Sequence, residues 1–136
     1  MVHRLLYGRW CAAVLVISLY SVVPSMGGAA GPCDSAITTK DMVMCYDTQY
    51  AEAAKRLAEL QEQVAGVLSD QAREALTTAQ AKWVDFREAN CRSISLAYEG
   101  GSMEALAFYS CRLQMTADRV QELRAAFGEL MQARPQ

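Results

Sequence analysis

Gln80-Ala81-Lys82-Trp83-Val84-Asp85-Phe86-Arg87-Glu88-Ala89-Asn90-Cys91 is the stretch on which the fold turns. An arginine follows Trp83 by one helical turn, and Cys91 follows Arg87 by another. A large apolar anchor, a fixed cation and a cross-linking residue therefore share one side of a helix. Extended in both directions, the same side takes in Leu76, Ala79, Gln80, Trp83, Phe86, Arg87, Asn90 and Ile94. This predicts a helix over 70–98, about 40 Å long at 1.5 Å per residue. Ser69 or Asp70 is placed to cap it, and Glu74 lies in its first turns.

On the N-terminal side, Met42, Tyr46, Tyr50, Ala53, Leu57, Leu60, Val64 and Val67 recur at steps of three and four, predicting a helix over 39–66. Thr38 or Thr39 is its expected cap, and Asp41 is favourably placed at the positive end of the helix dipole. On the C-terminal side, Leu106, Tyr109, Leu113, Thr116, Val120, Leu123, Phe127 and Leu130 form a seam over 102–131. Gly66 with Ser69-Asp70 marks one turn and Glu99-Gly100-Gly101-Ser102 the other. Short turns between long helices make neighbours antiparallel, so the expected architecture is all-α, an up-down-up bundle of three helices.

The first 30 residues read differently. Arg4 and Arg9 precede an apolar run from Cys11 to Val23, which Pro24 ends before the small residues Ser25 to Ala30. That is the pattern of a secretory signal peptide, 1–30, with a helical domain at 31–136. The run is short of the roughly 20 residues needed to span a bilayer, so no stable membrane insertion is expected after its removal. Cys33 follows Ala30-Gly31-Pro32, which argues against lipidation. The expected location is secreted or periplasmic.

Residues 1–30 hold two of the 13 basic residues, none of the 15 acidic ones and the only histidine, His3. The remainder carries 11 bases against 15 acids, a net charge of −4. No basic face is available for a nucleic-acid partner, and chemistry that needs an imidazole is excluded. Cys33, Cys45, Cys91 and Cys111 remain, an even count that reads as two disulfides. Their spacing lacks the close pairs of a thiolate zinc site, so no metal or other cofactor is expected. Folding at the two turns brings Cys45, Cys91 and Cys111 to one height, with Cys33 reaching them from the lead. Connectivity stays open among three pairings. Cys45 with Cys91 and Cys33 with Cys111 is favoured, because Cys111 points off the seam, where the lead could cross; the first bridge would contribute about 4 kcal/mol by loop closure.

Four features could carry chemistry. Arg87 beside Trp83 could bind a carboxylate or a partner's acidic cleft, although stacking on Trp83 or pairing with an acid of a neighbouring helix accounts for it better. Asp85, Glu88, Asp118 and Glu122 lie at positions that mostly face water, which does not suit paired acid-base work. Met42-Val43-Met44-Cys45 suggests a soft-metal site, but a half-cystine and a core methionine explain it. Gly100-Gly101-Ser102 follows a helix and not a strand, so it reads as a helix end and turn rather than a phosphate cradle.

The residues quoted above resemble the LprI-type lysozyme inhibitors. The shared pattern is Leu76, Gln80, Trp83, Phe86-Arg87 and Cys91, with Thr39, Met42 and Cys45 upstream. Downstream it includes Gly100-Gly101-Ser102, Cys111, Thr116, Arg119 and Leu123. The middle of helix one departs: the family's aspartate, leucine-asparagine and tyrosine meet Ala54, Leu57-Ala58 and Gln61, so a function resting on that patch loses its support. The resemblance implies inhibition of lysozyme by binding and no enzymatic activity. Gln80, Trp83, Phe86, Arg87 and Arg119 are then structural or binding residues, with Trp83 and Phe86 expected in the core. Exposed Tyr98, Glu99, Gly100, Gly101 and Ser102 form the candidate partner-binding element. The alternative is a structural or adaptor module of the cell envelope without lysozyme activity.

Overall fold

A computed structural model describes residues 33–134. The expected signal peptide lies outside the described residues. Three helices follow one another: α1 Thr39–Val67, α2 Asp70–Leu96 and α3 Met103–Ala133. They form the bundle expected from the periodicity, with no strand among the described residues.

Local chemistry explains where each helix starts. Thr38 caps α1 through a reciprocal box: its Oγ1 accepts from the Asp41 amide at 3.1 Å, and the Asp41 carboxylate accepts from the Thr38 amide at 3.3 Å. Ser69 caps α2 by accepting from the Ala72 amide. Leu68 and Ser69 alone connect these helices, and Gly66 lies inside α1 rather than in the turn. Gly100 takes a φ of 75°, the left-handed region that glycine enters without strain, and thereby reverses the chain between α2 and α3.

The apolar core occupies the end of the bundle near the α1–α2 turn. Leu57, Leu60 and Val64 of α1 meet Val120 and Leu123 of α3, and Leu68, Leu76, Trp83, Phe127 and Met131 close around them. α3 is the central element: it packs closely along both α1 and α2, whereas the backbones of α1 and α2 hardly approach each other. Arg134 ties the two C-terminal ends of α3 and α1, donating to the Val67 carbonyl at 3.2 Å.

The disulfides are Cys33–Cys45 and Cys91–Cys111. This corrects the favoured pairing. Equal height along the bundle does not bring two Cα atoms within the roughly 7 Å that a bridge requires. The Tyr50 ring of α1 and the Arg87 guanidinium of α2 lie between those helices, 5.2 Å apart, and hold them from closing. Cys91 instead meets Cys111 across the close α2–α3 contact, with Cα atoms 5.5 Å apart. The lead does not cross to α3; it turns at Cys33–Ala36 and folds back on α1, where Cys33 meets Cys45. The loops closed are therefore short, with separations of 12 and 20 residues, and each contributes about 3 kcal/mol by chain entropy instead of about 4.

α2 is also rotated from the inner face expected of it. Its buried residues are Gln80, Arg87, Cys91 and Ser95, whereas Phe86 is 59% exposed, and Ala79 and Ile94 also face solvent. Phe86 is thus not a core residue. It lies about 100° around the helix from Arg87, so seating Arg87 and Cys91 against α3 turns the Phe86 ring outward.

Candidate functional site

Midway along the bundle the three helices meet through polar and aromatic side chains. Arg87 is only 5% exposed. Its Nη1 donates to Thr116 Oγ1 of α3 at 3.1 Å, and its Nε and Nη2 donate to Glu88 Oε1 at 3.0 and 2.7 Å. The same oxygen accepts from Arg112 Nε at 3.1 Å. One carboxylate thus offsets two guanidinium groups, a charge-assisted arrangement that makes burial of Arg87 tolerable. The Thr116 hydroxyl donates to the Arg112 carbonyl at 2.7 Å, so its oxygen is free to accept from Arg87.

Aromatic faces complete the layer. The Arg87 guanidinium lies 5.1 Å from the Trp83 ring centroid and 5.2 Å from that of Tyr50. Arg112 lies 4.0 Å from Tyr50 and 5.3 Å from Phe108, and Arg119 lies 5.6 Å from Trp83. Planar guanidinium groups stack on such faces at little solvation cost, unlike ammonium groups.

Two turns from Arg87 toward the apolar core, Gln80 is buried. Its Oε1 accepts from Arg119 Nε at 2.8 Å and Nη2 at 2.6 Å, and Arg119 Nη1 pairs with Glu122 at 2.9 Å. Two donors on one oxygen fix which way the amide points. Its Nε2 is left without a partner. Gln80 lines a cleft of about 320 Å³ between α1 and α2 together with Ala58, Ala65, Gln61, Glu62 and Thr77, none of which accepts from its Nε2.

Of the motif residues, Gln80, Trp83, Arg87 and Arg119 are brought together, and Phe86 is not. Arg112, Glu88 and Tyr50 belong to the layer but were not singled out beforehand as its members. The signal was present in α3: Arg112, Thr116 and Arg119 recur at steps of four and three, the spacing of the stripe facing α2. The guanidinium groups of the layer are engaged by Glu88, Thr116, Gln80 and Glu122, so the arrangement fastens helices together and directs no reactive group outward.

Asp118 accepts from Gln114 at 2.8 Å, and Asp85 is exposed, so the four carboxylates do not converge. Cys45 is a half-cystine and offers no thiolate beside Met42 and Met44. Cys91 is fully buried, with Met115 Sδ 3.6 Å from its sulfur and 3.8 Å from that of Cys111. Tyr98, Glu99, Gly100, Gly101 and Ser102 are all exposed. The turn is held by Gly101 donating to the Tyr98 carbonyl at 2.9 Å and Gly100 donating to the Glu104 carboxylate at 3.1 Å. A Cβ on Gly101 would lie 3.2 Å from the Tyr98 oxygen, which favours glycine there. An apolar groove of about 440 Å³ runs between α2 and α3, where Ala72, Ala75, Ala79 and Ala126 leave space beside Leu123 and Phe127.

No solved structure matches the chain. It is 27% identical to an uncharacterized protein of Rhizobium meliloti (strain 1021), over 92% of this chain and 97% of that one. The two disulfides suit a location outside the cytoplasm. No helix among the described residues is long and apolar enough to cross a membrane. The family model described as lysozyme inhibitor LprI matches residues 31–123, the span that contains both cystines, Gln80, Trp83, Arg87 and Arg119, and the chain belongs to that family.

Proposed function

We propose that this chain is a secreted or periplasmic protein that inhibits lysozyme by non-covalent binding and carries no catalytic activity of its own. The observation that carries the reading is the match of residues 31–123 to the lysozyme-inhibitor family. Physical features support it. The domain downstream of residue 30 has a net charge of −4, which favours encounter with a basic enzyme, and its cross-links restrict the motion that binding would otherwise have to arrest. Animal-type lysozymes are basic and cleave glycans with two carboxylates in a cleft, so a rigid acidic body seated over that cleft would stop turnover. The exposed turn Tyr98–Ser102 is our choice for the element that makes contact, and residues 1–30 are our choice for the signal that directs export.

Lysozyme-driven clearing of a bacterial suspension, followed by turbidity with the purified oxidised domain present, tests this reading. Slower clearing at micromolar inhibitor is expected. Unchanged clearing at micromolar excess over several lysozyme types would refute it. A second reading, an envelope adaptor without lysozyme activity, is favoured by Ala54, Ala58 and Gln61 in α1, which depart from the family pattern at those positions. Recovery of an envelope protein other than lysozyme by pull-down would support it.

A further inference from the structure

The described residues include eight exposed large hydrophobic side chains, and six of them lie at one end of the bundle: Ile37, Met44, Ile94, Leu96, Tyr98 and Met103. This is the end beyond the Tyr50–Arg87–Arg112 layer, formed by the start of α1, the end of α2 and the start of α3. Exposure there is substantial, 89% for Ile37 and 58% for Met44. Scattered apolar residues on a surface need no explanation, but concentration of most of them at one end does.

Charge is concentrated at the same end. It carries Asp34, Asp41, Asp47, Glu99 and Glu104 against Lys40 and Arg92, a net of −3. The rest of the described chain has ten acids and nine bases and is nearly neutral. Both disulfides also lie at this end, where the apolar core does not reach. Apolar side chains with an acidic rim, on a scaffold fixed by covalent bonds, have the composition of a preorganised protein-binding surface. A cleft of about 340 Å³ between α2 and α3 opens here, with Arg92, Glu104, Phe108 and Tyr109 in its wall and Arg92 paired with Glu104 at 3.5 Å.

We infer that this chain docks end-on, through Leu96, Tyr98, Glu99, Met103 and the neighbouring start of α1, onto a basic protein surface with an apolar centre. The inference rests on the lysozyme reading and names that enzyme as the occupant. The sides of the bundle, Phe86 included, stay free in the complex.

Binding of immobilised animal-type lysozyme to the oxidised domain, measured by interferometry, tests it with three variants. Glu99→Lys reverses charge on the exposed turn, Leu96→Ser with Met103→Ser removes apolar surface, and Phe86→Ser is the control on the side of α2. Unchanged helical circular dichroism is required of each. The two end variants are expected to weaken binding by about tenfold or more, and Phe86→Ser by less than about twofold. Wild-type binding that persists in both end variants, or is abolished by Phe86→Ser alone, overturns the end-on mode and leaves the lysozyme reading standing. Failure of the wild type to bind any lysozyme overturns both.

Discussion

Replacing Arg87 with alanine removes a guanidinium that touches all three helices, and the structure allows the loss to be worked out contact by contact. Glu88 keeps Arg112 as its partner, and Thr116 keeps the Arg112 carbonyl, so neither is left as an orphaned buried group. That separates this case from a buried ion pair whose surviving member is stranded, where about 3–5 kcal/mol is usual. What disappears is the charge-assisted bond to Thr116, about 1.5–2 kcal/mol. Two cation–π contacts, to Tyr50 and Trp83, add about 0.5–1 kcal/mol each. Glu88 is partly open to water, so its share is discounted by screening. With the packing of the arginine stem included, Arg87→Ala is expected to cost about 3–4 kcal/mol. For a domain of this size that lowers the melting temperature by roughly 15 °C.

Urea unfolding followed by helical circular dichroism and by Trp83 fluorescence measures the effect. Arg87→Lys keeps the charge but loses the planar fork and is expected to recover less than half of the loss. Arg87→Met keeps the stem without the charge and should fall between wild type and alanine. A cycle pairing Arg87→Ala with Thr116→Val should return a coupling of about 1–2 kcal/mol. An Arg87→Ala cost below about 1 kcal/mol, with no coupling to Thr116, would refute the placement of Arg87 at the polar centre of the bundle.

Ala58→Asn places a carboxamide beside the cleft that Gln80 lines; a bond to its Nε2 worth about 1 kcal/mol, less about 0.5 kcal/mol of helix propensity lost at this exposed position, should leave a net gain of about 0.5 kcal/mol, or about 2 °C in melting temperature; no gain, or an equal gain in the Gln80→Leu background, refutes it. Without reduction, trypsin should release Glu88–Arg92 joined to Ser93–Arg112 by the Cys91–Cys111 bridge, and Cys91→Ser with Cys111→Ser should cost about 3 kcal/mol; a fragment joining Cys45 to Cys91 would contradict the connectivity.

The three helices were legible because their signals are local. Steps of three and four along Leu57, Leu60 and Val64, or along Thr116, Val120 and Leu123, need only a helix to align them, and Thr38 and Ser69 announce starts through hydrogen bonds within four residues. The disulfide pairing was not legible, since it depends on lateral distance. Sequence gives height along a bundle; the gap between α1 and α2 is set by Tyr50 and the side chains of Trp83 and Arg87, which only packing reveals. Phe86 misled for a related reason. An aromatic ring one position before a buried arginine looks as though it belongs inside, yet only one of two neighbours 100° apart can face α3. The cationic layer was half legible: Arg87 and Trp83 were marked by their spacing, whereas Arg112 carries only its four-residue step to Thr116, and its partners Glu88 and Tyr50 are fixed by packing.

The bundle is stabilised differently along its length. Near the α1–α2 turn, leucine and valine side chains supply the apolar core. In the middle, Arg87, Arg112 and Arg119 join the helices through one glutamate, one threonine, one glutamine and aromatic faces. At the far end, two cystines take over where the core stops. This order has a functional consequence. A small helical domain normally turns its large apolar side chains inward because burying them is its main source of stability. Where covalent bonds restrict the unfolded chain instead, Ile37, Met44, Leu96 and Met103 are released from that duty and can face outward. The motif around Trp83 therefore builds the scaffold, and the end-on docking we infer would use the end of the molecule that the cystines, rather than the core, hold in shape.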